Sequence, residues 1–169
     1  MIEGEASLEE RFQEHRDRTA ISDLLIRFAG SIDTRDWAAY RSCFADSIEV
    51  DYRSLIGGEV LKVTGAAWTE RARQSFAGFD VTWHQSTNHV HRVEGDRAHC
   101  TAYLCAEHFV NTEGARESWT LGGTYRTELI RSREGWKIER LALDVLWSRG
   151  NPDVFALAAA KAARGDLKG

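Results

Sequence analysis

The chain of 169 residues has one proline and three cysteines, and its 22 Lys and Arg against 26 Asp and Glu leave a net charge of only −4. Each shortage excludes something. Cys43, Cys100 and Cys105 are odd in number and lack Cys-x-x-Cys spacing, which argues against a disulfide framework or a zinc ribbon and fits a reducing cytoplasm. Charges of both signs are mixed along the chain, so no basic face is set up to track phosphates and nucleic acid is not an expected partner. No apolar run reaches the roughly 20 residues of a membrane-spanning helix. The acidic start, Met1 to Glu5, lacks the apolar stretch of a signal peptide. No glycine-rich phosphate loop or nucleotide fingerprint occurs, and there is no internal repeat, low-complexity segment or linker.

What remains is the composition and length of one ordinary folded unit, read as a single domain over residues 1–169. Ile21, Leu24, Leu25 and Phe28 recur at helical spacing and predict a helix over residues 8–30. Trp37, Tyr40 and Phe44 share a face of a second helix, which Thr34 or Asp36 can cap. Asp33 then falls in the join or on the last turn of the first helix. Ile48 to Tyr52 alternates as a strand, Gly57-Gly58 breaks the chain, Glu59 to Val63 forms a short strand, and Ala66 to Phe76 a third helix. Four strands follow as a meander: Val81 to Val93, Ala98 to Thr112, Arg116 to Arg131 and Trp136 to Trp147, with glycine-containing turns between them. Asn151-Pro152 is read as the start of a last, alanine-rich helix. The class is α+β, with helices first, then a curved antiparallel sheet, then a C-terminal helix.

One strand face carries more. Ala98, Cys100, Ala102, Leu104, Ala106 and His108 lie two apart and share a side. Small residues there either pack tightly on a helix or leave an apolar cavity ending in one polar group. His108 joins Asp33, Tyr52 and His84 as a candidate catalytic set. A histidine titrates near neutral pH, and a carboxylate on its far ring nitrogen fixes the tautomer and stabilises the imidazolium. Such a pair with a tyrosine hydroxyl can take a proton from carbon and expel a neighbouring hydroxyl as water, without metal or cofactor. The competing readings are a helix-end carboxylate beside an unrelated histidine, and a surface tyrosine.

These residues resemble the nuclear transport factor 2-like superfamily, in its SnoaL-like, scytalone dehydratase-like branch. Asp33-x-x-Asp36-Trp37 through Val50-Asp51-Tyr52-Arg53-Ser54 carries the resemblance, continued by Trp83-His84, the Gly95-Asp96 turn, His108, Gly122-Gly123-Thr124-Tyr125 and Gly135-Trp136-Lys137. It implies a cone-shaped α+β barrel around a pocket for small apolar or aromatic molecules, a trimer, and no cofactor. It also implies roles: Asp33 and His84 as the catalytic pair, Tyr52 as a water- or carbonyl-binding group, and His108 as a second pocket histidine. Ile32 and Arg126 replace polar groups of the family pattern, and Arg126 is read as an anion clamp or as a salt-bridged strand residue. Trp83, Cys100, Leu104 and Asn88 are the other candidate substrate contacts. His89-x-His91 lacks the further ligands of a convincing metal site, and no metal is assigned.

Register sets a condition. A two-residue turn at Gly95-Asp96 pairs Glu94 with Arg97, and counting back puts His84 opposite Glu107, with its side chain on the face that His108 avoids. Both histidines reach one pocket only if a β-bulge adds a residue between them, so a bulge is expected. The function read from the sequence is a dehydratase acting on a cyclic or aromatic hydroxyketone, polyketide-like or steroid-like. Isomerisation or ring closure from the same proton abstraction stays open, as does a non-catalytic binding or dioxygenase β-subunit-like role.

Overall fold

A computed structural model of the chain describes residues 7–165, and the Met1 to Glu5 segment read above lies outside them. Helix α1 spans Leu8–Thr34. Ser7 opens it with a capping box, its hydroxyl accepting from the Glu10 amide while the Glu10 carboxylate accepts from the Ser7 amide at 2.7 Å. Such a cap contributes about 1 kcal/mol. The buried stripe Ile21, Leu24, Leu25, Phe28 and Ile32 extends the predicted periodicity by a turn. The helix therefore runs past residue 30 and holds Asp33 on its last turn. It ends where Arg35 adopts a left-handed φ of 60°.

Helix α2 (Trp37–Ser42) is capped by Asp36, whose carboxylate accepts from the Ala39 amide at 2.9 Å. It is shorter than its apolar spacing suggested, because Phe44 already begins strand β1 (Phe44–Asp51). Tyr52 is not a strand residue; it precedes a single helical turn, α3 (Arg53–Ile56). Strand β2 (Leu61–Thr64) and helix α4 (Gly65–Phe76) follow. The meander is β3 (Val81–Glu94), β4 (Arg97–Thr112), β5 (Ala115–Ser132) and β6 (Gly135–Gly150). Helix α5 (Val154–Ala163) starts later than the Asn151-Pro152 signal, since Asn151 uses its side-chain oxygen to accept from the Asp153 amide in the turn before it.

The six strands form one sheet in the order β2-β1-β6-β5-β4-β3. Neighbours are antiparallel except β1 and β6, which run parallel and join the β1–β2 pair to the meander. The concave side takes α1 and an aromatic core of Phe28, Tyr40, Phe44 and Tyr125, with ring centroids 5.1–5.8 Å apart. Burying a ring such as Phe28 stabilises by about 2–3 kcal/mol. A buried carboxylate ties the far end of α1 to the sheet. Asp17 accepts from Arg131 at 2.7 and 2.9 Å and from the Trp136 indole at 3.1 Å.

The expected bulge is present. Glu94 pairs with Arg97 and Val90 with Thr101, but beyond the bulge Thr87 pairs with Tyr103 and His84 with Ala106. Asn88 and His89 together oppose Ala102, and Asn88 takes a φ of 54° to make room for the extra residue. The inward face of β4 resolves its two readings by position. Ala98, Cys100 and Ala102 pack in the buried core, while Leu104, Ala106 and His108 line a cavity. No helix among the described residues is long and apolar enough to cross a membrane.

Candidate active site

The cavity has a volume of about 160 Å³ and lies between the concave sheet, the end of α1, and helices α3, α4 and α5. A cavity of about 150 Å³ holds benzene, so this one takes a body of about one substituted ring. Its walls are apolar: Ile32, Leu104, Leu121, Leu143, Phe76 and Phe155. Polar groups cluster at two places.

At the first, Asp33 grips His84 twice. Its Oδ2 accepts the His84 backbone amide and its Oδ1 meets the ring Nδ1, both at 2.7 Å. A carboxylate only accepts, so Nδ1 carries a proton, and in the neutral ring the lone pair belongs to Nε2. The His84 side chain is 5 % exposed and lies on the cavity wall. Arg35 braces this junction, donating to Ile32 O at the end of α1 and to Thr82 Oγ1 on β3 at 2.8 Å.

His108 stands beside it, ring centroids 5.3 Å apart and nearly perpendicular to His84. Phe76, Phe79, Trp119 and Phe155 surround it within 5.0–5.9 Å. Burial, and then the neighbouring His84, push its pKa down to about 3. His108 is therefore neutral at physiological pH, with Nδ1 donating to Trp119 O at 3.3 Å and Nε2 free to accept.

At the second place, Tyr40, Tyr52, Trp68 and Tyr125 line the cavity together. Burial holds all three phenols above the usual tyrosine range, and the Tyr52 and Tyr125 hydroxyls interact with one another. They are therefore protonated donors. The Trp68 indole N–H, near the Tyr40 phenol, is the single buried side-chain polar atom without a geometrically sound hydrogen bond among the described residues. An apolar cavity with a base on one wall and several donors on another suits a ligand bearing a carbonyl oxygen.

Residues 13–142 match the SnoaL-like domain family. The chain belongs to it. Among solved structures it resembles a Kribbella flavida protein, Kfla4162, at 26% identity and a TM-score of 0.80, over 85% of this chain and 99% of that one. A Novosphingobium aromaticivorans protein described as a candidate aromatic ring hydroxylase is 31% identical, with a TM-score of 0.72, over 83% and 96%. A candidate scytalone dehydratase from the same species shares the fold, at 18% identity and a TM-score of 0.69, over 83% and 89%.

Within this SnoaL-like domain, Asp33, Tyr52, His84, His108 and Leu104 gather at the cavity as expected, Asp33 from behind His84. Four candidates do not. Trp83 and Arg126 each precede or follow an inward residue, so strand alternation sends them to the convex face. Trp83 is 50% exposed there. Arg126 pairs with Asp144 at 2.7 Å, which corrects its reading as an anion clamp. Asn88 is spent on the bulge and is exposed. Cys100 faces inward but sits farther along the sheet in the core, and burial raises its thiol to about 11. Trp147 is also half exposed on the convex face, lying over Gly122, where a Cβ would sit 2.2 Å from its ring. Tyr125, Tyr40 and Trp68 were missed as cavity donors. Tyr125 was readable, since it lies four strand positions from Leu121 and on the same face. His89 and His91 are each bonded to a serine, Ser86 and Ser22, at 2.9 Å.

Proposed function

We propose that this protein is a cofactor-independent lyase that dehydrates a small cyclic or aromatic β-hydroxyketone, with His84 as the base. The double grip of Asp33 on His84 carries the reading: it withdraws a carboxylate partly from water and does nothing for packing that an apolar pair would not do better. In this mechanism Nε2 of His84 takes a proton from the carbon beside the substrate carbonyl. The electrons move onto the carbonyl oxygen, where Tyr52 and Tyr125 donate to the enolate. The enolate collapses, the β carbon–oxygen bond breaks, and the departing hydroxide takes the proton back from His84 as water. His108, neutral and accepting at Nε2, holds the hydroxyl before it leaves.

Because His108 has no proton to give near neutral pH and the phenols hold theirs tightly, His84 serves as both base and acid. Proton and hydroxyl then leave from one face of the substrate. The cavity volume favours one ring over a fused steroid nucleus. The name of the 31%-identical relative, which refers to aromatic rings, agrees with that size. Isomerisation begins with the same proton transfer and differs only in which carbon receives the proton. A homo-oligomer would use the convex sheet face, where Trp83, Tyr103 and Trp147 stay about half exposed; light scattering distinguishes a trimer from a monomer.

Deuterium uptake in D2O tests the reading on a panel of cyclic ketones and β-hydroxyketones, with wild type and His84→Ala. Uptake or water loss that needs His84 is expected. A protein that binds members of the panel yet leaves their α-hydrogens unexchanged would have a binding or structural role instead.

A further inference from the structure

The cavity opens between α3 and α4, where Ile56, Arg71 and Ser75 are exposed at its lining. Arg71 is unusual among the arginines of this region. Arg53 is held by Asp51 and Arg73 by Glu70, both at 2.8 Å, whereas no carboxylate pairs with Arg71 among the described residues. Its guanidinium lies 5.9 Å from the centroid of the Trp68 ring, which forms the wall just inside the mouth. Ser75 lies four residues along α4, hence on the same helix face. Its hydroxyl has no hydrogen-bond partner among the described residues, although serine and threonine hydroxyls in helices readily bond back to the chain, as Thr69 does to Gly65 O at 2.8 Å.

From this arrangement we infer that Arg71 and Ser75 form a carboxylate subsite at the cavity mouth. The substrate is then a ring-sized ketone that also carries a carboxylate on the side of the ring remote from the reacting carbons. A guanidinium fork matches the two oxygens of a carboxylate, and the half-apolar mouth strengthens the pairing relative to open water. The remaining cavity lining holds no other arginine and no lysine, so this is where a charged tail can end. The ring enters past Trp68, its carbonyl reaches the tyrosines, and its anionic end stays at the rim. Arg71 thus takes the anion-binding role that the sequence suggested for Arg126. The inference rests on the proposed chemistry only for what lies at the inner end, and its test is separable from that chemistry.

Calorimetric titration of a panel of single-ring oxo acids against their methyl esters is the test, with 3-oxocyclohexane-1-carboxylate and its ester as the first pair. The ester keeps the shape and removes the charge. At least one acid is expected to bind wild type about tenfold more tightly than its ester. That ratio should shrink in 0.5 M salt and fall to about one in Arg71→Gln and in Arg71→Met, the latter keeping the apolar stem over Trp68. It should survive in His84→Ala. If no acid is preferred over its ester by wild type, or if the preference persists in both Arg71 variants, the subsite does not exist. Deuterium uptake that depends on His84 would stand in either case, so loss of one reading leaves the other measurable.

Discussion

The rings of His84 and His108 stand edge to face 5.3 Å apart across a single cavity wall. They meet because β3 holds two residues, Asn88 and His89, against Ala102 alone. The bulge lies on the side of the hairpin between the turn and the histidines, so it moves His84 by one position relative to β4 and turns its side chain inward.

Asn88 pays the conformational cost of that bulge, with a left-handed φ of 54°. Asn88→Gly should be neutral within about 0.5 kcal/mol, because glycine adopts this conformation freely. Asn88→Val should lose about 1–2 kcal/mol in urea denaturation. Deleting Asn88 should abolish turnover as well, since it restores the register that points His84 away from the cavity. An active deletion variant would show that the bulge does not set the pair.

Asp33→Asn should leave the fold intact and cut turnover by a thousandfold or more. The amide oxygen can still accept from the His84 backbone. Its NH2 would then face Nδ1, forcing the ring proton to Nε2 and removing the base. Steady-state rates and a circular dichroism spectrum separate this outcome from misfolding.

Tyr125→Phe removes a donor from the wall opposite the base and should lower kcat about 10–100-fold with a smaller change in KM, because an enolate gains more from that hydrogen bond than a neutral ketone does. Equal changes in both parameters would assign Tyr125 to substrate binding alone.

The fold was legible where periodicity was strong. Ile21, Leu24, Leu25 and Phe28 marked α1, and the glycine turns marked the meander. Alternation also contained the means to reject Trp83 and Arg126, since each neighbours an inward residue. The bulge was readable as a requirement but not as a location, because nothing in Thr87-Asn88-His89-Val90 distinguishes an extra residue from a paired one. Arg71 was not legible as a site residue at all. It sits on α4, and only the tertiary packing of α4 against α3 and the sheet decides that one face of that helix borders a cavity. The same holds for Asp17, a charged residue among helix positions that the sequence gives no cause to bury.

Asp17 predicts its own effect on stability. It is 5% exposed and joins α1 to Arg131 and Trp136. Asp17→Ala leaves the Trp136 indole N–H unpaired and Arg131 with only Asp96 and the Gly95 carbonyl, and should cost about 2 kcal/mol. The Arg131 guanidinium beside Asp17 lowers its pKa to about 2, so the carboxylate's contribution is complete above about pH 4 and disappears as pH falls toward 2.

His108 governs a different pH range. Its pKa falls from an ordinary 6.5 to about 3 in the folded protein, through burial first and the charge of His84 second. The unfolded chain therefore binds this proton more readily than the folded one between those values. The stability conferred by a neutral His108 is complete above about pH 6.5 and is lost progressively as pH falls toward 3, by an amount on the order of a few kcal/mol. His89 and His91, lowered by burial as well, act in the same direction, whereas the contribution of Asp17 begins to be lost only below about pH 4. Between pH 7 and 4.5 the wild type should lose stability steeply. His108→Phe, which fills the same aromatic surroundings without a titrating group, should flatten that slope in urea melts. An unchanged slope would mean that the folded protein accepts a proton at His108 well above pH 3. In that case His108 has a proton to give to the leaving hydroxyl, and elimination need not proceed from one face.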